Sequence, residues 1–233
     1  MPIINTNTSL ISDHLKTRWY RYWMYRSSWS RYGRFAMRMA SLTAPPDIEC
    51  VRLAYINTKR WGYISPSATL YHKQLTIGKN IFIGDQVIII QRKESGSITL
   101  GDKISIFKNS ILDTGEDGSI SIGNNSSVHH NSILKAYLSS IEIGNGVMIA
   151  ANCALYSYNH DTQAGIPMRK QPLTSRSGIQ IGDEAWLGTG VIVLDGANIG
   201  SGAVIGAGSV VTGDIPDNAI AVGNPAKVVR YRV

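Results

Sequence analysis

The sequence predicts an all-β protein, a parallel β-helix with a helical segment ahead of it. Three observations carry that prediction. From Ile181 the chain reads in sixes: IGDEAW, LGTGVI, VLDGAN, IGSGAV, IGAGSV, VTGDIP. The first position is always aliphatic, and the fifth is Ala, Val, Ser or Ile. A six-residue period fits neither the 3.6 of an α-helix nor the alternation of an ordinary strand, but it fits short strands whose equivalent positions stack from coil to coil. The composition agrees, because 23 glycines and only 3 phenylalanines suit many turns and layered aliphatics better than a helical bundle. Weaker copies lie upstream, at Ile77-Gly78, Ile83-Gly84, Leu100-Gly101, Ile122-Gly123 and Ile143-Gly144, followed by Ile149 and Leu155.

The elements follow in order. Residues 1–62 are non-repetitive, basic and aromatic, and read as helical. Within 16–39 arginines and lysines interleave with aromatic residues, and Tyr22, Tyr25, Trp29, Tyr32 and Ala36 fall at helical spacing. Residues 63–216 form the β-helix. Irregular spacing up to 160 predicts coils with short corner loops. Residues 161–178, DTQAGIPMRKQPLTSRSG, break the repeat with Pro, Gly and polar residues and predict a loop thrown out of the coils. The regular coils span 179–216. Gly223-Asn224-Pro225 stops a strand in the final segment, 217–233, which is expected to be a basic tail.

Charge narrows the partners. The formal net charge is +7, and residues 1–60 hold all of it, with ten bases against three acids. A neutral repeat region argues against nucleic acid as a partner. Cys50 and Cys153 are too few and too distant for a disulfide framework, which points to a reducing compartment. The first residues lack the apolar core of a signal peptide, and no apolar run is long enough to span a membrane, so the expected location is cytoplasmic.

The run AWLGTGVIVLDGANIGSGAVIGAGSVVTGDIPDNAIAVGNPAKVVR resembles the C-terminal signature of the hexapeptide-repeat acyltransferase superfamily. Within it the chain looks like the maltose and galactoside O-acetyltransferases and the O-acetyltransferases of capsule and lipopolysaccharide pathways. The resemblance covers roughly residues 63–230 and is strongest from 141. It implies a left-handed coil, against the general right-handed rule for crossovers. It also implies a homotrimer that binds acetyl-CoA between neighbouring subunits and uses no metal. The function it implies is transfer of an acetyl group to a sugar hydroxyl, in surface polysaccharide biosynthesis. N-acetylation of an amino-sugar nucleotide, serine acetylation and a non-catalytic scaffold are the alternatives. A γ-class carbonic anhydrase is disfavoured, because that site wants two histidines five residues apart on one coil, and His129 and His130 are adjacent.

An alcohol attacking a thioester needs a base with a pKa near neutrality, which suits histidine. His160, in YSYNHD just before the broken repeat, matches the family's base. Asp161 is a candidate to orient its ring, with a backbone carbonyl as the alternative. Asn131, in HHNSIL, is the nearest match to an asparagine that donates to the oxyanion, although His129 or His130 could take that place, as could a plain corner role. Carried over by position, the coenzyme contacts are Trp186, Thr189, Ala207, Thr212 and Gly213, with Lys227 and Arg230 for the nucleotide phosphates. Gly213 stands where relatives often have a base. For residues 16–39 the alternatives are packing on the trimer rim and lying on an anionic membrane, at the inner face.

Overall fold

The computed structural model describes residues 7–27, 30–43, 52–53, 62–93 and 95–233, with side chains in the first helix from residue 15 onward. The chain winds as a parallel β-solenoid of about seven turns with a triangular cross-section. Each of the first six turns contributes one short strand to each of three sheets, and in the seventh the third face is reduced to the Ile199–Ile215 bridge. The first face starts at Tyr63–Ile64, the second at Thr69–Tyr71 and the third at Leu75–Ile77.

The six-residue period has a direct structural cause. One strand and one corner take six residues, so the first position of each hexapeptide returns to the interior. Ile181, Leu187, Val193, Ile199, Ile205 and Val211 are all buried. The stacks continue upstream in register. Ile64, Ile83, Ile106, Val128, Ile149, Leu187 and Ile205 pair one above another along the first face. The fifth position shares the narrow interior, which is why Ala185, Val191, Ala197, Ala203 and Ser209 are small or slim and buried.

Corners bend through the left-handed region. Asn109 (φ 61), Asn131 (φ 59) and Asn152 (φ 62) occupy equivalent corners between the first and second faces, where asparagine tolerates the conformation better than most residues. Their amides form a ladder: Asn109 Nδ2 donates to Asn131 Oδ1 at 3.2 Å, and Asn131 Nδ2 donates to Asn152 Oδ1 at 3.3 Å. In the last two coils the same corner is Gly190 (φ 73) and Gly208 (φ 71), and nothing lies within 4 Å of a Cβ built on Gly208. A second ladder runs between the third and first faces, where Asn124 Oδ1 accepts from the Asp102 amide at 2.7 Å and Asp183 Oδ1 accepts from the Asn145 amide at 2.7 Å.

The N-terminal segment is helical, as the sequence suggests, and comes as two helices. Helix α1 (Asn7–Arg26) ends, and α2 (Arg31–Ser41) restarts with Ser30 capping the Gly33 amide at 3.0 Å. The change of direction moves the buried face. Tyr20 and Met24 are buried on α1, and Gly33, Ala36, Met37 and Ala40 on α2. Tyr22, Tyr25 and Tyr32 stay exposed, Ala36 alone of the described stripe is buried, and Trp29 lies outside the described residues. The two helices cap the first coil, and the Ile64 amide meets Met37 Sδ at 3.4 Å.

Within the expected basic tail, Lys227–Tyr231 is a strand, antiparallel to Ala219–Val222, and it covers the open edge of the first face.

Candidate active site

His160 belongs to the segment that leaves the solenoid from the edge between the second and third faces. Asn159–His160 pairs antiparallel with Leu173–Thr174, and the Asp161 amide donates to the Pro172 carbonyl at 2.9 Å, so the insertion is a hairpin with an ordered base. A short 3₁₀ turn at Met168–Lys170 shapes its far end, and Gln171 Nε2 ties it back to the Gln163 carbonyl at 2.7 Å. The imidazole of His160 is exposed. Asp161 Oδ1 accepts from the Thr162 amide at 2.7 Å, a local turn contact rather than a contact to the imidazole.

The return leg is held by a residue that the sequence reading missed. Asp195 is buried, and it accepts from Ser175 Oγ at 3.0 Å, the Arg176 amide at 2.6 Å and the Gly178 amide at 2.9 Å. Three donors stabilise its buried charge. Its signal was an acid at the third position of VLDGAN, directly under the loop.

Most of the expected coenzyme contacts gather elsewhere, at the edge between the first and second faces. Thr189 and Ala207 are exposed on consecutive coils there, with Ala151 and His130 above them in the same column. The neighbouring column runs Phe107, His129, Ala150, Gly188, Gly206. It therefore changes from rings through Ala150 in the fifth coil to a flat floor of backbone in the sixth and seventh. A Cβ on Gly188 would overlap the Ala207 amide and the Ile205 carbonyl, so only glycine keeps that floor. Phe107 stacks on His129 with centroids 4.6 Å apart. Burial, and then the neighbouring His130, hold the His129 pKa below the usual 6.5.

Trp186 sits in a strand of the first face rather than at a corner, and it is 47% exposed between Met148 and Val204. Ile220 and then Arg230 continue that column. Val222 and Lys227 continue the glycine column. Lys227 and Arg230 are an odd number of residues apart, which would put them on opposite sides of a regular strand. A bulge opposite Ile220/Ala221 adds Val229 and brings both onto the outer side. Thr212 and Gly213 lie apart from this group, on the edge between the second and third faces, with open space over Gly213.

Within one chain, then, His160 and Thr189–Ala207 stand on different edges. Across the second face, five extended residues at about 3.3 Å each separate those edges by roughly 16 Å. Asn131 is exposed at the Thr189 edge with its amide in the asparagine ladder. Among the described residues no group of His, Cys, Asp or Glu forms a metal cluster, and no helix is long and apolar enough to cross a membrane. Cys153 is a buried thiol, raised in pKa by its burial; Cys50 and the environment of His14 lie outside the described residues.

Comparison with known proteins agrees with this architecture. Residues 178–213 match the family described as bacterial transferase hexapeptide (six repeats), and residues 119–157 match the hexapeptide repeat of succinyl-transferase. A Mycobacterium tuberculosis protein carrying the name "Probable acetyltransferase" is 35% identical over 160 residues, covering 68% of this chain and 45% of the relative. The galactoside O-acetyltransferase of Lactococcus lactis is 42% identical over 92 residues, covering 40% and 44%. The chain thus spans about half the length of the curated relatives it matches. Among solved structures, the N-acyltransferase AntD of Bacillus cereus, crystallised with dTDP and 3-hydroxybutyryl-CoA, shares the fold at a TM-score of 0.51 and 22% identity, covering 73% of this chain and 79% of its own. The chain is a hexapeptide-repeat protein, similar in sequence and fold to the hexapeptide-repeat acyltransferase superfamily.

Proposed function

We propose that the protein is an acetyltransferase that moves an acetyl group from acetyl-CoA to a sugar hydroxyl, with His160 as general base. The observation that carries this is the pairing of two features: an exposed histidine at the root of an ordered hairpin, and an edge that narrows to glycine beside Thr189 and Ala207 over the last coils with two cations at its foot. The narrowed edge suits a thin pantetheine chain lying against backbone, and Lys227 and Arg230 suit the nucleotide phosphates. The hydroxyl loses its proton to His160 as it attacks the thioester carbon. The tetrahedral intermediate then collapses with release of the coenzyme thiol, for which the protonated imidazole is the acid.

Because the two features lie on different edges, the complete site forms where His160 of one subunit faces the Thr189 edge of the next, in a homotrimer. Asn131, at that edge, is the donor proposed for the oxyanion, and Thr212 and Gly213 meet the coenzyme from the subunit that supplies His160. Asp161 stays a candidate to orient the imidazole through its second oxygen. The sugar acceptor belongs to a surface polysaccharide. The exposed aromatic and arginine side chains of residues 16–39 hold the trimer against the inner face of an anionic membrane.

The test is thiol release from acetyl-CoA with a panel of sugars. His160→Ala is expected to lower kcat about 10²- to 10⁴-fold while acetyl-CoA still binds. An undiminished variant would remove His160 as the base. Absence of thiol release with every acceptor would favour the scaffold alternative, and release with amino sugars alone would favour N-acetylation.

A further inference from the structure

The coils on the N-terminal side of His160 carry, along the same edge, a set of side chains that the transfer chemistry does not use. At their centre is Asp113, on the outer side of the second face, with its side chain only 1% exposed. Three partners cover it. Arg92 Nε donates to Oδ2 at 3.0 Å, Tyr137 Oη donates to Oδ1 at 3.2 Å, and Lys135 Nζ lies 3.7 Å from Oδ2. Two hydrogen bonds and an ion pair converge on this buried carboxylate and fix the Arg92, Tyr137 and Lys135 side chains relative to one another. Arg92 is 59% exposed, and among the described residues its terminal nitrogens make no hydrogen bond. Gly115 leaves room for the Tyr137 ring to lie flat on the edge, since a Cβ there would overlap the ring. Tyr137 lies 4.9 Å from Tyr158, which is 6.2 Å from Tyr156. Beyond Arg92 the edge opens into a cavity of about 400 Å³ lined by His72, Lys73, Arg92 and Lys93 among others.

We propose that this edge is the acceptor track, and that the acceptor carries an anionic group, phosphate or carboxylate, about three coils away from the sugar that reacts. This rests on His160 marking the reacting centre. The length follows from the architecture: Tyr158 stands on the fifth coil, two residues ahead of His160, and Arg92 on the second, so three coil spacings of about 4.8 Å put about 14 Å between tyrosine and arginine. The direction follows from the donor. The glycine floor occupies the last coils, so an acceptor attacking the thioester approaches from the N-terminal ones. Tyrosine rings suit the C–H faces of a sugar. The exposed guanidinium fork of Arg92, with Lys73 beside it in the cavity, suits a phosphate or carboxylate. A monosaccharide does not reach from one to the other; a sugar diphosphate or an acidic oligosaccharide does.

The test measures binding calorimetrically, without coenzyme, for methyl β-galactoside, UDP-galactose and tri-galacturonic acid. Expected is binding of one or both anionic probes at least tenfold tighter than the neutral galactoside, weakened by salt. UDP-galactose and the trigalacturonate separate a diphosphate source from a carboxylate one. Arg92→Gln should weaken the anionic probe about ten- to a hundredfold and leave the neutral sugar unchanged. Since that change also removes a partner of Asp113, Lys73→Gln on the exposed rim provides a second reading of smaller size in the same direction. In the transfer assay both variants should raise KM for the anionic acceptor while kcat holds. Equal binding of charged and neutral probes, or indifference to both substitutions, overturns the track. Charge-dependent binding that survives while no acceptor releases thiol would retain the track as an anionic saccharide site and remove the acetyltransferase reading instead.

Discussion

At position 131 two roles are superimposed, and two substitutions separate them. Asn131 bends the corner at φ 59 and also supplies an amide to the ladder. Asn131→Ala loses the amide and places a Cβ residue in the left-handed region, a strain of about 1–2 kcal/mol. Asn131→Gly loses the amide without that strain. Denaturation should therefore find the alanine variant about 1 kcal/mol less stable than the glycine variant. If the amide meets the oxyanion, both should lose kcat alike. Full activity in Asn131→Gly would leave the corner as its whole role. His129 supports a pH prediction at the same scale. Its folded pKa is depressed below 6.5, so the unfolded chain binds the proton more readily. Its contribution to stability is complete above pH 6.5 and is lost as the pH falls below that value. His72, depressed by burial, acts in the same direction. Urea midpoints should fall between pH 7 and pH 5, and His129→Gln should flatten part of that fall.

At the scale of elements, the hairpin that carries His160 depends on Asp195, 35 positions further along the chain. Asp195→Ala leaves the amides of Arg176 and Gly178 without their acceptor, while Ser175 Oγ keeps the Ser157 carbonyl at 3.0 Å. The expected loss is about 2–4 kcal/mol, with kcat reduced although Asp195 touches no reactant. Unchanged activity with an unchanged melting temperature would show that the hairpin stands without it. The coils themselves were legible because a hexapeptide coil is a local object: one aliphatic per six residues states which side chain turns inward. The hairpin was legible only as a break in that period. Its strand pairing, Asn159–His160 with Leu173–Thr174, depends on contacts across a loop with no period of its own. The N-terminal segment was legible as helical, but which of its faces is buried was not. Aromatic residues at helical spacing imitate a buried stripe, but the Ser30 cap restarts the helix in a new direction, and the small face of Gly33, Ala36 and Ala40 packs instead. The strand Lys227–Tyr231 was hidden as well, because what makes it a strand is the open edge it covers.

At the scale of the whole molecule, the separation of His160 from the Thr189–Ala207 edge makes a prediction that no single chain can satisfy. If the proposed trimer builds the site between subunits, assemblies made wholly of His160→Ala chains or wholly of Ala207→Trp chains should be inactive. Co-expressed, the two chains should recover activity, since some interfaces then pair an intact histidine with an intact coenzyme edge. Persistent inactivity in mixed assemblies would place the whole site within one chain. The helices carry a further expectation: co-sedimentation with anionic vesicles at low salt, reduced when Arg31, Arg34 and Arg38 are changed to Gln. No sedimentation would leave those helices as a cap on the first coil.

By itself the sequence determined the repeat, the stacked interior, the place where the coil is interrupted and the histidine beside that interruption. Each is written in neighbouring residues, because a solenoid is stabilised coil on coil and its pattern needs only local spacing. The tertiary structure decided which residues share an edge. It set His160 and Thr189 on different edges, brought Lys227 and Arg230 to one side through a bulge, and joined Arg92, Asp113 and Tyr137 from three successive coils. Those groupings depend on how many residues each corner takes, and closing the coil, rather than any local pattern, settles that number.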